Sequence, residues 1–112
     1  MPLQETQTDT IKIITVNLPR IDAAVAIQFK DAMREATENG PDQIVLDLSN
    51  VAFIDSSGLG AIVASKKQLP QDKRIDLAGL TPDVAKVFRL TRMDSVFRIY
   101  THVSDLAPRA AG

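Results

Sequence analysis

The run I-V-L-D-L at Ile44 to Leu48 carries apolar side chains at all but one position. Such a nearly continuous apolar run is typical of a strand that is covered on both faces. Strands of this kind occur mainly in parallel sheets, because the helices that connect parallel strands pack over the sheet. The run therefore predicts an inner strand of an α/β sheet.

The residues before this run predict one strand and one helix. T-I-K-I-I-T-V-N-L, from Thr10 to Leu18, is rich in β-branched residues and partly alternating, as strands are. Apolar residues then recur at helical spacing from about Asp22, which is the expected N-cap. N-G-P at Asn39 to Pro41 is the expected end of this helix.

Two helices and two strands are predicted after the run. The segment from Gly58 to about Leu69 has helical spacing, and Arg74 to Ala78 is a short strand. T-P-D at Thr81 to Asp83 starts the third helix, with threonine as N-cap and proline at the first helical position. Val96 to Tyr100 is the last strand. The alternation of strands and helices predicts a mainly parallel sheet with right-handed crossovers.

Length, charge and terminal sequence limit the classes of protein to consider. A chain of 112 residues with 45% apolar content suits one domain over residues 1–112, with a polar stretch at 1–9 and a frayed tail at 108–112. A net charge of −1 offers no general field for nucleic acid. The N-terminus lacks the pattern of a signal peptide, and no apolar run approaches the ~20 residues of a spanning helix. We expect a soluble, cytoplasmic protein without direct membrane contact.

The octapeptide F-I-D-S-S-G-L-G at Phe53 to Gly60 is the candidate site. It lies beyond the carboxyl end of a predicted strand, where α/β sheets gather their functional groups. In the simplest interpretation, the octapeptide only forms a turn and caps the helix that follows. Ser56 or Ser57 would then cap the next helix, while Gly58 and Gly60 would permit close packing.

Enzymatic interpretations of the octapeptide are disfavoured. A serine hydrolase needs a nucleophile elbow and a base, but Asp55 stands where the elbow has glycine, and the only histidine is His102 near the end of the chain. The spacing of a phosphate-binding P-loop is absent. With no cysteine, thiolate metal sites are excluded as well. We therefore expect no catalysis, no metal and no cofactor.

A covalent phosphate on Ser57 is the remaining interpretation. Phosphoserine carries about −1.5 to −2 charges at neutral pH, and a helix N-terminus tolerates negative charge. The fold would therefore survive the modification. The surface around it, with Leu59 and Asp55 nearby, would change from a contact patch into one that repels a partner.

Four segments of the chain carry a resemblance to a known family. I-V-L-D-L-S-N-V-A-F-I-D-S-S-G-L-G-A-I at Ile44 to Ile62 resembles the signature of the STAS domain family, in particular of the bacterial anti-sigma factor antagonists. The others are P-R-I-D-A-A-V-A from Pro19, L-A-G-L-T-P-D-V-A-K-V-F from Leu77 and R-M-D-S-V-F-R-I from Arg92. The resemblance extends over nearly the whole chain from about residue 10.

The resemblance implies a STAS-like fold. This is a mostly parallel central sheet of four to five strands, with three to four helices on one side. It includes an N-terminal hairpin whose first strand lies within Leu3 to Thr8, which periodicity does not reveal. A short fourth helix is expected from about Val103. Arg92 stands where the family usually has a glycine after the third helix, and a left-handed arginine there would cost on the order of 1 kcal/mol.

The resemblance also implies a partner switch. The unphosphorylated antagonist binds an anti-sigma factor, which is also a serine kinase with a histidine-kinase-like ATPase fold, and so releases a sigma factor. The kinase phosphorylates the second serine of the motif, here Ser57, and a PP2C-type phosphatase reverses the reaction. Asp22 would lie beside the motif loop. We expect a monomer or a weak dimer.

Residues around Ser57 are expected to form the phosphosite loop and the partner contact: Asp55, Ser56, Gly58, Leu59, Gly60, Asp22 and Ile27. Asp55 has two open interpretations, as a group that positions the Ser57 hydroxyl or contacts the kinase, and as a plain turn residue. Ile27 lies on the helix face opposite Val25 and Phe29, where a partner contact competes with an ordinary exposed aliphatic side chain. The alternative function is a constitutive STAS subunit of a lipid-transport ATPase complex or a signalling scaffold, with Ser57 as a cap.

Overall fold

A computed structural model describes residues 1–106 of the chain. Its elements follow one another in this order: β1 (Leu3–Gln7), β2 (Ile11–Val16), β3 (Arg20–Ile21), α1 (Ala26–Thr37), β4 (Gln43–Asp47), β5 (Phe53–Ile54), α2 (Ser56–Lys67), β6 (Arg74–Ala78), α3 (Pro82–Leu90), a 3₁₀ turn (Met93–Ser95), β7 (Ile99–Tyr100) and a second 3₁₀ turn (Val103–Asp105). The predicted alternation of strands and helices is confirmed.

The main sheet has five strands in the order β1-β2-β4-β6-β7. β4 is the central strand, and every residue from Ile44 to Leu48 is buried, as the apolar run predicts. β1 pairs antiparallel with β2, while the other neighbours pair in parallel. The hairpin strand that the resemblance implied within Leu3 to Thr8 is therefore present.

The core lies between the sheet and the three helices. Ile14, Leu46 and Leu77 stand side by side in the register of β2, β4 and β6 and are fully buried. The helices cover them with these buried side chains: Phe29 and Met33 from α1, Ile62 from α2, and Val84 and Phe88 from α3. Helices on one side of the sheet are what the resemblance implied.

A smaller apolar cluster lies on the other face of the sheet. It consists of Ile11, Ile13, Val45 and Ala78, with Tyr100, Val103 and Leu106 packed against it. Within the described residues, the end of β7 and the turn that follows it therefore pack on this face. The fourth helix expected from about Val103 is a 3₁₀ turn within the described residues. The expected frayed tail at 108–112 lies outside them.

Two predicted boundaries are wrong by three residues or more. α1 begins at Ala26, four residues after Asp22, because residues 22–25 form a turn. The last strand begins at Ile99 and not at Val96. Arg92 has φ 62°, so the chain leaves α3 through a left-handed residue and forms a 3₁₀ turn before the strand.

Lys12 is a buried lysine on the helix-covered side of the domain. Its ammonium donates to the carbonyl oxygens of Ala36 at 2.7 Å and Asn39 at 3.2 Å, and lies 3.3 Å from a carboxylate oxygen of Glu5. The first two contacts satisfy carbonyls at the C-terminal end of α1, where a cation is favoured. The polar residue that interrupts the β2 pattern therefore joins β2 to α1.

Candidate functional site

Two very short strands bring the turn before α1 beside the start of α2. β3 and β5 pair in parallel, so that R-I-D at Arg20 to Asp22 lies next to F-I-D at Phe53 to Asp55. Because both strands lead into helices, α1 and α2 begin at the same edge of the domain. Sequence reasoning missed these strands. With two residues each, they are too short for a periodic pattern to reveal them.

Asp55 is the N-cap of α2. One carboxylate oxygen accepts from the N–H of Gly58 at 2.9 Å, and the other accepts from the N–H of Ala23 at 3.2 Å. The prediction that Ser56 or Ser57 caps this helix is therefore wrong. Aspartate is as good a cap as serine, and its two oxygens serve two backbone segments at once.

Hydrogen bonds hold the pKa of Asp55 below its ordinary value. The N–H of Gly58 contributes most, and the N–H groups of Ala23 and Ser57 and the positive charge of Arg20 act in the same direction. Partial desolvation opposes them. The carboxylate is thus ionised at neutral pH and committed to backbone donors, which makes it a poor general base.

Ser56 and Ser57 lie in the first turn of α2, and both are exposed. Neither hydroxyl makes a hydrogen bond to another group in residues 1–106. Since Asp55 provides the cap, both hydroxyls remain accessible to a second protein.

The two glycines of the octapeptide have different environments. Gly58 is buried against β3, where a Cβ would overlap the carbonyl oxygen of Ile21 and lie 2.9 Å from Cγ1 of Ile54. Gly60 is exposed, and a Cβ there would meet no atom within 4 Å. The prediction of close packing is confirmed for Gly58 and wrong for Gly60.

Asp22 lies beside the octapeptide, as the resemblance implied, but it does not cap α1. Its carboxylate accepts from the N–H of Ala24 at 3.1 Å and lies 3.3 Å from Nε of Arg20. A side chain that bonds two residues ahead stabilises a turn, which explains why the helix starts late. The guanidinium of Arg20 also stacks on the ring of Phe53, 4.3 Å from its centre.

A shallow cavity of about 210 Å³ lies between α1 and α2, next to Ser57. It is lined by Ala26, Ile27, Lys30, Ser57, Gly60, Ala61 and Ala64. Ile27 is 72% exposed, which agrees with its predicted place on the outer face of α1. Leu59 does not line this cavity and packs, half-buried, against the main core. Lys30 was not among the predicted site residues.

The cavity offers a surface that a second molecule can contact, and the octapeptide offers the exposed hydroxyl of Ser57 beside it. Across residues 1–106 there is no group of three or more histidine, aspartate or glutamate side chains placed to hold a metal ion. No helix of the described part is long and apolar enough to cross a membrane.

Comparisons with known proteins agree with this architecture. The model of the STAS domain family matches residues 3–106. An anti-sigma-B factor antagonist of Listeria monocytogenes is 30% identical over 98 residues, which are 87% of this chain and 84% of that protein.

Solved structures show the same fold. An anti-sigma factor antagonist from Mycobacterium paratuberculosis superposes with a TM-score of 0.83 at 23% identity, covering 98% of this chain and 93% of that one. The anti-sigma factor antagonist SpoIIAA in its unphosphorylated form has a TM-score of 0.74 at 21% identity, covering 98% and 96%. The phosphorylated form of SpoIIAA from Bacillus has a TM-score of 0.68 at 19% identity, covering 96% of this chain and 97% of that one.

Proposed function

This chain belongs to the STAS domain family, and we propose that it is an anti-sigma factor antagonist whose partner binding is ended by phosphorylation of Ser57. The protein acts by binding and not by catalysis. Its partner is an anti-sigma factor that is also a serine kinase, and a PP2C-type phosphatase restores the binding form.

One observation carries the proposal. The hydroxyl of Ser57 is exposed in the first turn of α2, while Asp55 and neither serine caps the helix. Because this hydroxyl makes no hydrogen bond within residues 1–106, its modification removes no interaction that holds the helix. The name of the Listeria relative and the phosphorylated form of SpoIIAA support the same function.

Phosphorylation of Ser57 would change the surface without unfolding it. The new charge would lie at the N-terminus of α2, where the helix dipole stabilises anions by about 0.3–1 kcal/mol. The same charge would stand beside the exposed side chain of Ile27 across the cavity. A partner that buries Ile27 would have to desolvate a phosphate, which is strongly unfavourable unless the partner supplies a counter-charge.

Ser56 supplies a matched control, because it is the neighbouring residue and is likewise exposed. The wild type, Ser57→Ala and Ser56→Ala are each incubated with ATP and a kinase-type anti-sigma factor from the same genome. Phosphopeptides are then mapped by mass spectrometry. Wild type and Ser56→Ala are expected to be phosphorylated at residue 57, and Ser57→Ala is not.

Binding is tested with Ser57→Ala and Ser57→Asp as paired baits for the same anti-sigma factor. Capture by the first and not by the second is the expected result. Phosphorylation of Ser57→Ala to the wild-type level would overturn the site. Equal capture by both baits would instead favour a constitutive STAS subunit.

A further inference from the structure

Lys30 and Ser57 line the same cavity from opposite helices. We propose that Lys30 is the counter-ion of the phosphate on Ser57, so that α1 supplies the charge that holds the phosphorylated side chain. This inference rests on the proposed function, since it assigns a second residue to the phosphorylated state of the same site.

The directions of the two helices bring the ammonium towards the hydroxyl. α1 and α2 begin at the same edge, and Lys30 lies one turn after Ala26, the first residue of α1. Helical side chains lean towards the N-terminus of their helix, so the long stem of Lys30 leans back towards the level of Ser57. Ala26, Gly60 and Ala61 are small and leave the space between the two side chains open.

The charges around the cavity leave Lys30 available. Two neighbouring arginines are paired, Arg20 with Asp22 and Arg34 with Asp31. Lys30, by contrast, forms no ion pair with any group in residues 1–106.

The acids near Ser57 do not compete for it. The carboxylate of Asp55 is occupied by backbone donors, and that of Asp22 by Arg20 and the N–H of Ala24. A lysine ammonium with three free donors is a common phosphate partner.

Such a pair would alter the docking surface twice. Phosphorylation would add negative charge at Ser57 and would also withdraw the free ammonium beside Ile27. A partner that places an acidic group against Lys30 in the unphosphorylated state would lose that contact. The switch would then need no change in the backbone.

The test uses protein with phosphoserine incorporated at position 57 during translation, so no kinase is required. The phosphate is titrated by ³¹P NMR in wild type, in Lys30→Met and in Lys86→Met. Lys86 is an exposed lysine on α3, and its replacement removes the same net charge. Melting curves of all three proteins verify that the fold is retained, as expected for exposed positions.

The second pKa of the phosphate is expected to rise by about 0.2–0.7 unit in Lys30→Met relative to the wild type, because an exposed ion pair contributes roughly 0.2–1 kcal/mol. Lys86→Met is expected to match the wild type, and 1 M NaCl to reduce the difference by screening. Equal midpoints in wild type and Lys30→Met would overturn the proposal, as would an equal rise in Lys86→Met. If the kinase assay failed, the proposed function would be overturned. The ³¹P NMR titration could still be interpreted, because it requires no kinase.

Discussion

The carboxylate of Asp55 accepts a hydrogen bond from the N–H of Ala23 at 3.2 Å and thereby ties the start of α2 to the turn before α1. Its other oxygen caps α2 through the N–H of Gly58. This side chain therefore acts together with the pairing of β3 and β5 to hold the two segments that carry Ser57 and Ile27 beside each other. The ionised carboxylate of Asp55 thus contributes to the geometry of the proposed docking surface.

Replacing Asp55 should lower stability in a pH-dependent manner. The pKa of Asp55 in the folded protein is depressed, so its contribution is present above the unfolded pKa of about 3.9 and is lost as pH falls through the folded value. At pH 7, Asp55→Ala is expected to have a lower Tm than the wild type. The gap should narrow as the pH is taken below about 4.

Asp55→Asn and Asp72→Ala serve as controls for the pH experiment. Asparagine keeps one acceptor and is a good N-cap, so its loss of Tm at pH 7 should be smaller. Asp72 is exposed in the turn before β6, and its replacement should change Tm little. A gap between Asp55→Ala and wild type that stays constant from pH 7 to pH 3 would contradict the assigned role.

Replacing each of the two glycines of the octapeptide by alanine should change the free energy of unfolding in opposite directions. Gly58→Ala places a Cβ against the carbonyl of Ile21, a backbone atom that cannot move aside, and should cost on the order of 1–3 kcal/mol. Gly60→Ala adds a methyl group in open space within α2 and should gain roughly 0.5–1 kcal/mol. Urea unfolding measures both; a Gly58→Ala protein as stable as Gly60→Ala would refute the packing argument.

Replacing Arg92 by glycine should stabilise the folded protein. Its left-handed backbone, φ 62°, is unfavourable for a residue with a side chain, so Arg92→Gly should raise the free energy of unfolding by about 1 kcal/mol. Arg89 lies in the last turn of α3, and Arg89→Gly should lower it by about 1 kcal/mol. Thermal melts of both variants show whether each substitution raises or lowers stability. Destabilisation of both would show that the Arg92 side chain makes a compensating contact.

Removing the ammonium of Lys12 should destabilise the domain. Lys12→Met keeps the aliphatic stem but leaves the carbonyls of Ala36 and Asn39 without their donor, at a cost of about 1–3 kcal/mol. Lys67→Met, at an exposed position in the last turn of α2, is the matched control and should change stability by less than about 0.5 kcal/mol. Urea unfolding decides between them, and equal stability of the two variants would exclude a structural role for the Lys12 ammonium.

The parts of the fold with strong periodic patterns could be predicted from the sequence. The run at Ile44 to Leu48 is the central strand, and Thr81 is the N-cap position of α3. The Thr81 hydroxyl donates to the carbonyl of Val51 at 2.7 Å, and its oxygen accepts no hydrogen bond from the N–H groups of the helix. β1 could not be found by periodicity, because its residues are almost all exposed and show no alternation. β3 and β5 have two residues each, too few for any period to appear.

The candidate site was predicted less completely than the fold. Asp55, Ser56 and Ser57 are three consecutive residues that can each cap a helix, and composition alone does not choose among them. The choice depends on the N–H of Ala23, which β3 brings from a distant part of the sequence. Lys30 was missed for the same reason, since only the packing of α1 against α2 places it beside Ser57.

Ile27 is expected to contact the partner, and its variant should separate binding from stability. Ile27→Asp places a charge on an exposed position beside Ser57, so the Tm should stay within a few degrees of the wild type. Binding to the anti-sigma factor should weaken roughly tenfold or more, because a charge replaces an apolar contact in the proposed interface.

Leu90 on α3 is the matched control for Ile27, since each side chain is 72% exposed. Leu90→Asp introduces the same charge at a site outside the cavity beside Ser57 and should leave the dissociation constant unchanged. Titration of both variants by calorimetry gives the comparison directly. Wild-type affinity in Ile27→Asp would remove this face of α1 from the interface, and an equal loss in Leu90→Asp would indicate that the added charge acts through the net charge of the protein rather than through a contact.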